Sequence, residues 1–342
     1  MDLNPSGEQQ QLIDAFTAFY AKECPVDRVR AAEPSGHDAD LWASLRAMGA
    51  LEMAIAEQSG GWGASLLDIA LVAEQHGRHL GPAPLIEAQV AARVLARTGG
   101  RGAAEALGRA LGDGRLITVA LHPPRGGVLA LVPGGSVADE VIFFDQGQLK
   151  CMAIGDRARP VPNTGSLPLA DIAVDTTGVD LVSGDPAELL FESARDEWMV
   201  LMANALVGVG SRSIELGVDY ARERRAFGVP IGSFQAVAHG LADAATAMEG
   251  SKLIAREAAW AAGEEVARAT ELACLSCGFC AEAAREASYR SLHYHGGYGF
   301  MLEFDIQLFF RRARAWPAVF GEPGHMYARG AMERLAAVGH GG

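Results

Sequence analysis

The chain has 342 residues, of which 49% are hydrophobic and 21% are charged, and its formal net charge at pH 7 is −13. A chain of this length could hold two or three domains. The composition is typical of a globular protein and argues against a disordered one. The negative charge argues against a nucleic-acid-binding protein, because phosphate backbones require clustered Lys and Arg. The N-terminus has no leader-like segment, and no stretch reaches the roughly 20 apolar residues that span a bilayer. Together with only five cysteines, these features predict a cytoplasmic protein with free thiols.

Residues 1–112 have the pattern of a helical segment. Ser6 begins a capping box ahead of an apolar stripe at helical spacing, which predicts the first helix. A second helix is predicted from about Asp38 to Gly49, followed by a glycine-rich loop that breaks the pattern. A long apolar helix is predicted from about Leu66 to His79, and another follows through Val94.

Residues 113–185 change character, because short β-prone runs alternate with Pro and Gly. The predicted strands are 117–121, 128–132 and 140–144. The helical period returns near residue 186, with predicted helices at 187–225, 234–262, 265–294, 305–314 and 327–337. The sequence therefore predicts a mainly α fold with a small central β domain, organised as residues 1–112, 113–185 and 186–342.

Two stretches have a composition suited to a phosphate-containing ligand. From Arg224 to Gln235 the sequence reads RRAFGVPIGSFQ, in which an Arg pair ends one helix and Gln235 stands near the start of the next. A helix N-terminus beside an Arg favours a bound pyrophosphate. The second stretch, His293–Phe300, reads HYHGGYGF, and its glycines would let a ligand approach the backbone closely.

In this order, the two stretches resemble the acyl-CoA dehydrogenase family, and the resemblance extends over nearly the whole chain. Residues 41–49, 57–63 and 74–84 are similar to the N-terminal part of the family. The resemblance implies an N-terminal helical domain, a β domain and a C-terminal four-helix bundle. It also implies an FAD that lies across a subunit interface.

The resemblance further implies the part of the FAD site that one subunit lends to its neighbour. The implied cofactor-binding residues are Arg224, Phe227, Gln235, His293, Gly296 and Gly297. Arg224 would contact the pyrophosphate, and Phe227 and Gln235 would lie beside the adenosine half. The two glycines would leave room for the main chain to approach. His293 stands where the family commonly has Gln.

The family's reaction is α,β-dehydrogenation of an acyl-CoA thioester, and it requires a carboxylate within reach of the α-proton. A gap-free register places Phe320 and Trp198 at the two positions where family members carry this base. Glu322 lies two residues beyond Phe320, and Glu197 is next to Trp198. One residue along a helix turns a side chain by about 100°, which directs Glu197 away from the position of the base. We expect Glu197, like its neighbour Asp196, to be a solvated helix carboxylate. We therefore expect no catalytic residue in this chain.

The β segment also departs from the family pattern. Full-length family members carry an acidic and hydroxyl-bearing stretch that contacts the flavin ring, and Ala120–Gly127 is its nearest remnant here. A later Trp-containing run of the family is absent, because no Trp occurs between Trp62 and Trp198. The half of the site that a subunit makes for its own flavin is thus degraded, whereas the half lent to a neighbour is retained. This pattern resembles the short subunits of heterotetrameric acyl-CoA dehydrogenases of actinobacterial sterol and bulky-acyl catabolism.

Three functions follow from these observations. The first is an FAD-binding subunit that works with a full-length acyl-CoA dehydrogenase subunit in a heterotetramer, acts on an acyl-CoA and passes electrons to an electron-transfer flavoprotein. The second is a self-sufficient homomeric enzyme that uses Glu197 or Glu322 as its base. The third is a non-catalytic relative without FAD, against which the retained Arg224 and Gln235 argue.

The spacing of Cys274, Cys277 and Cys280 can indicate an iron–sulfur site. A cubane cluster needs four ligands, and within a helix Cys280 would have turned roughly 120° away from Cys274. The sequence therefore predicts buried thiols in a helix bundle and no metal site.

Overall fold

The computed structural model describes residues 3–175 and 178–339, with side chains described as far as residue 336. Helices precede and follow a central β segment. The α-helices are α1 Gly7–Glu23, α2 Val26–Ala31, α3 Ala39–Ala47, α4 Leu66–Arg78, α5 Leu85–Thr98, α6 Gly100–Gly108, α7 Asp185–Glu223, α8 Gln235–Glu264, α9 Ala269–Tyr294, α10 Ile306–Ala318 and α11 Pro323–Gly339. The strands are β1 Ile117–Val119, β2 Val128–Val132, β3 Glu140–Asp145, β4 Gln148–Ala153, β5 Ala158–Pro160, β6 Ala170–Ala173, β7 Val179–Ser183, β8 Arg225–Ala226 and β9 Val229–Pro230. The predicted mainly α fold with a small β segment is confirmed.

Local sequence signals account for where the first helices begin and end. The Ser6 hydroxyl accepts a hydrogen bond from the backbone N–H of Gln9 (3.2 Å), and the Gln9 side chain accepts one from the backbone N–H of Ser6 (3.0 Å). This is the predicted capping box. Helix α3 begins after Asp38, whose carboxylate accepts from the N–H of Leu41 at 2.8 Å. It is followed by Gly49, whose φ of +74° and close contact with the Trp62 ring both require glycine.

The β segment forms two sheets. In the four-stranded sheet the order is β1-β3-β4-β7, with β1 and β3 parallel and the other pairs antiparallel. The three-stranded sheet has the order β2-β6-β5 and is antiparallel. A buried cluster from both sheets forms the core of this segment: Ala120, Leu129, Val132, Val141, Phe143, Met152, Ile154, Ala170 and Ile172.

The three predicted strands correspond to β1, β2 and β3, whereas β4 to β7 were not predicted. These four strands lack the continuous apolar runs on which the prediction depended. For example, β5 is exposed at two of its three residues, and β7 has no buried residue. Their pairing with buried neighbours decides their conformation, which local sequence does not record.

The residues group into two compact units. One unit comprises Met1–Val26, Ala70–Gly81 and Met199–Gly342, and the other comprises Asp27–Ile69 and Pro82–Trp198. The first unit contains the C-terminal helices, in which α9 packs against α8, α10 and α11. The second contains α3, α5, α6 and both β sheets. The division into residues 1–112, 113–185 and 186–342 remains a prediction.

The cysteines on α9 are buried, as predicted. Cys274, Cys277 and Cys280 are each fully buried thiols. Burial raises the pKa of Cys280 to about 12, so this thiol remains protonated at neutral pH. The three residues behave as small apolar side chains in the bundle.

Helix α7 is long and apolar enough to cross a membrane by length and composition alone. However, 72% of its most apolar window is buried within the protein, as is usual for a core helix. This is weak evidence for a membrane span. The cytoplasmic location remains a prediction.

Candidate functional site

A two-residue hairpin follows helix α7. The backbone N–H of Arg224 donates to the carbonyl oxygen of Tyr220 (2.8 Å), and strands β8 and β9 then pair around Phe227 and Gly228. Both turn residues have positive φ, +54° for Phe227 and +83° for Gly228. Positive φ is normal for glycine but costs a bulky residue about 1–3 kcal/mol. The Phe227 side chain is 96% exposed, so its contacts within the chain do not offset that strain.

The hairpin leads directly into helix α8. The N–H of Ile231 donates to the carbonyl oxygen of Arg224 (2.8 Å), which holds the hairpin closed. Gln235 is the first residue of α8, and its side chain is exposed. The Phe227 and Phe234 rings meet edge to face, with centroids 6.2 Å apart. The predicted sequence of Arg, turn and helix start is therefore observed.

The glycine turn follows the end of helix α9. No heavy atom lies within 4 Å of the point where a Cβ would sit on Gly296 or Gly297, so both glycines face open space. His293, in the last turn of α9, is exposed. The Tyr294 hydroxyl donates to the carbonyl oxygen of Ala236 at 3.2 Å, which joins the end of α9 to the start of α8.

A cation–π contact joins the hairpin to the glycine turn. The Arg224 guanidinium carbon lies 5.6 Å from the centroid of the Tyr298 ring. Across the part of the chain that the structure describes, no carboxylate forms an ion pair with Arg224. An exposed Arg without an acidic partner is notable in a chain with 42 acidic residues and 29 Lys and Arg. Its guanidinium donors remain available to an anionic ligand.

The contacts described above connect the three segments that carry the six predicted cofactor-binding residues. We call this surface the half-site; its members are Arg224, Phe227, Gln235, His293, Gly296 and Gly297. An unpaired guanidinium and two open glycines fit a pyrophosphate, which needs a positive charge and close approach of the backbone. The role of each residue toward a cofactor remains a prediction.

The two positions expected for a catalytic base hold buried aromatic side chains. Trp198 is fully buried, and its indole N–H donates to the Glu87 carboxylate at 3.0 Å. Phe320 is 8% exposed. Neither side chain can accept a proton from a substrate. Glu322, which precedes α11, has an exposed side chain.

The expectation that Glu197 is a solvated helix carboxylate is wrong. Its side chain is buried and bound by two guanidinium groups from α5. Arg93 Nε lies 2.9 Å from one carboxylate oxygen, and Arg97 Nη1 lies 2.9 Å from the other. Because both oxygens already accept hydrogen bonds from Arg, Glu197 is poorly placed to act as a general base. The sequence concealed this pairing, since the arginines lie about a hundred residues away.

Glu87, a carboxylate in an otherwise buried part of α5, was not among the predicted site residues. It is only 9% exposed, and burial raises the pKa of its carboxyl, an effect larger than the opposing hydrogen bond from Trp198. The available signal was a single acidic residue within an apolar run, because Leu85, Ile86 and Ala88 surround it. A carboxylate buried at such a position must either have a buried partner or be protonated.

Glu87→Gln should make the protein more stable at neutral pH than the unmodified chain. Burial raises the folded-state pKa of Glu87 above its unfolded value. The stability that its neutral form contributes is therefore complete below the ordinary glutamate pKa of about 4.3 and is lost as pH rises through the folded value. Gln keeps an oxygen that can accept from Trp198. Urea unfolding at a series of pH values measures the difference.

The difference between Glu87→Gln and the unmodified chain should shrink toward acidic pH and grow as pH rises. Glu249→Gln, which replaces an exposed carboxylate, is the control and should follow the unmodified chain at every pH. A Glu87→Gln protein that is less stable at neutral pH would show that the ionised carboxylate is required for folding.

Comparison with known proteins gives consistent results over most of the chain. Residues 6–111 match the acyl-CoA dehydrogenase N-terminal domain, and residues 198–332 match the acyl-CoA dehydrogenase C-terminal domain. The acyl-CoA dehydrogenase IpdE2 of Mycolicibacterium smegmatis is 30% identical over 325 residues, which cover 93% of this chain and 96% of that protein. IpdE2 of Mycobacterium tuberculosis is 30% identical over 335 residues, with coverage of 96% and 97%.

Solved structures show the same fold. The ChsE4-ChsE5 complex from Mycobacterium tuberculosis contains a chain that superimposes with a TM-score of 0.87 at 25% identity. The alignment covers 98% of this chain and 99% of that one. The expected architecture, with helical N- and C-terminal parts around a β segment, is therefore confirmed.

Proposed function

Because the chain belongs to the acyl-CoA dehydrogenase family, we propose that it is the FAD-binding subunit without a catalytic base in a heteromeric acyl-CoA dehydrogenase. This proposal rests on the residues found at the two positions where family members carry the catalytic base. Trp198 and Phe320 are buried aromatic residues, and the adjacent carboxylate of Glu197 is held by two arginines. A subunit of this kind needs a partner that supplies the base.

The half-site is the part of this chain that would contact the cofactor. Arg224 would bind the pyrophosphate, and the open space beside Gly296 and Gly297 would admit it. The exposed Phe227 and Gln235 would lie against the adenosine half. The chemistry that FAD supplies in this family is acceptance of a hydride from the substrate. The flavin ring would be held by the partner subunit.

The partner would be a full-length acyl-CoA dehydrogenase subunit, with two copies of each chain in the assembly. The similarity to a chain of the ChsE4-ChsE5 complex supports a heteromeric assembly. Exposed apolar side chains follow the glycine turn, with Phe300 at 68% and Leu302 at 75% exposure, which suits a surface that another subunit covers. The substrate would be a sterol-derived or other bulky acyl-CoA, and an electron-transfer flavoprotein would reoxidise the complex.

Co-expression tests this proposal. The chain should purify without bound flavin by itself and as a yellow complex with two FAD per four chains when a full-length partner is present. The visible absorbance of the bound flavin and the protein concentration together measure the ratio of FAD to chains. Yellow, active protein from this chain alone would overturn the proposal. Colourless protein in both preparations would favour a relative that has lost FAD.

The same complex tests whether a base resides in this chain. Glu322 is the exposed carboxylate nearest in sequence to the Phe320 position. Glu322→Gln should leave the turnover of the complex nearly unchanged, because the partner supplies the base. A loss of turnover comparable to removal of a general base, roughly 100-fold or more, would place the base in this chain.

A further inference from the structure

The contact between Arg224 and Tyr298 belongs to a larger aromatic cluster, made up of Tyr220, His295, Tyr298 and Phe304. The Tyr220 and His295 rings stack with centroids 4.1 Å apart and an interplanar angle of 20°. Phe304 packs edge-on against both, at 6.3 Å from Tyr220 and 5.9 Å from His295. The Tyr298 ring lies 5.5 Å from Phe304. The cluster thus leads from the last turn of α7 to the ring beneath Arg224.

Hydrogen bonds fix the orientation of the His295 ring. Its Nδ1 lies 2.7 Å from the carbonyl oxygen of Ser291, and since a carbonyl only accepts, Nδ1 carries the proton and donates. Burial lowers the pKa of His295, which favours the neutral ring. The Tyr220 hydroxyl donates to the carbonyl oxygen of His295 at 3.4 Å. The end of α7 and the start of the glycine turn are therefore joined by both a stack and a hydrogen bond.

Tyr220 and Arg224, at the end of α7, contact residues on either side of the glycine turn. Arg224 directly follows α7, and its backbone N–H donates to the carbonyl oxygen of Tyr220, so the two residues are one helical turn apart. Tyr220 packs on the residue before Gly296, and Arg224 packs on Tyr298, two residues after Gly296 and one after Gly297. Two contacts one helical turn apart therefore bracket the two glycines. An exposed Arg without such contacts would sample many rotamers.

We propose that Tyr298 is a positioning residue for the half-site: its ring holds the Arg224 guanidinium beside the Gly296–Gly297 turn in the orientation that binds the FAD pyrophosphate. The stack of Tyr220 on His295 and the Phe304 ring support Tyr298 from behind. This inference rests on the proposed function, because it assigns a role toward the same cofactor. Tyr298 acts through Arg224 and has no required contact with the ligand.

A double-mutant cycle tests the inference. FAD is titrated into the apo complex with a full-length partner, and its dissociation constant is measured by flavin fluorescence for the unmodified complex, Tyr298→Leu, Arg224→Ala and the double variant. Tyr298→Leu should raise the dissociation constant about two- to fivefold, the size of an exposed cation–π contact. In the Arg224→Ala background, Tyr298→Leu should have no further effect, because the group it positions is gone.

Two further variants separate positioning from a structural effect. Tyr298→Phe keeps the ring face and should stay within twofold of the unmodified complex. Phe279→Leu removes an aromatic ring of similar exposure, 39% against 43% for Tyr298, and should leave FAD binding unchanged. Thermal unfolding of every variant is recorded in parallel, and the Tyr298 variants should unfold close to the unmodified chain.

The outcomes distinguish this inference from the proposed function. Additive effects of Tyr298→Leu and Arg224→Ala would overturn the inference, because Tyr298 would then act independently, for example by stacking directly on the adenine. An unchanged dissociation constant in Tyr298→Leu would overturn it as well. In both cases a weakened Arg224→Ala complex would leave the proposed function standing. If Arg224→Ala binds FAD normally, both ideas fail.

Discussion

Arg224→Ala is expected to weaken FAD binding by the complex about ten- to a hundredfold, the effect of losing a hydrogen bond to a charged group. Arg224 forms no ion pair with a carboxylate in the described residues, so its removal leaves no acidic side chain without a partner. The loss should therefore appear in cofactor affinity and not in stability. Titration of FAD into the apo complex measures the first, and thermal unfolding measures the second.

Arg225→Ala is the matched control. Arg225 is the next residue, is also exposed, and donates from Nη1 to the carbonyl oxygen of Gly228 at 3.3 Å. It carries the same charge within the same hairpin but does not contact Tyr298. Equal losses in the two variants would show that general positive charge, and not the position of Arg224, attracts the cofactor. The Arg224 effect should also shrink at high salt, because exposed charges are screened.

Trp198→Ala is expected to lower the free energy of unfolding by about 3–5 kcal/mol, the range for removal of a buried aromatic side chain. Trp198 is among the largest fully buried side chains of the protein, and its loss leaves a cavity. The variant also removes the N–H that donates to the buried Glu87 carboxylate. Urea unfolding at neutral pH measures the change.

Trp198→Phe separates the two contributions to that loss. It retains most of the ring but removes the indole N–H, so its cost should be about 1–3 kcal/mol, the penalty for a buried group without its hydrogen bond. In combination with Glu87→Gln the cost of Trp198→Phe should fall, because a neutral amide is less expensive to bury than a carboxylate. A cost below about 1 kcal/mol for Trp198→Ala would contradict the packing of this side chain.

The stability role of Trp198 bears on function. The residue occupies a position at which relatives of this type were expected to carry a base, and it is integrated into the core by burial and by its bond to Glu87. A side chain bound in this way cannot be exchanged for a carboxylate without loss of packing. The aromatic residue at this position is therefore also one that stabilises the fold.

Signals contained in a few neighbouring residues could be read from the sequence. The capping box at Ser6, the start of α3 at Asp38 and the order of Arg, turn and helix before Gln235 are all present in the structure. Each depends on contacts between residues a few positions apart, where spacing alone determines which groups meet. The family resemblance was also visible, because it rests on contiguous motifs.

Features that depend on distant residues could not be read from the sequence. Local sequence predicts a surface carboxylate for Glu197, because its partners Arg93 and Arg97 lie on a distant helix, and strand β7 carries no buried residue of its own to mark it. Such residues are defined by partners that the chain supplies about 30 to 100 positions away. Contacts between residues so far apart in the chain leave no pattern in the local sequence.

By itself, then, the sequence determined the helical and β segments with apolar periodicity, the family, and the segments that form the half-site. Only the tertiary structure decided that Arg224 rests on Tyr298 without an acidic partner, that Glu197 is bound by two arginines, and that Trp198 is joined to Glu87. The physical reason is the same in each case. Periodicity reports which face of an element is buried, but the partner of a charge or a ring depends on how distant elements pack.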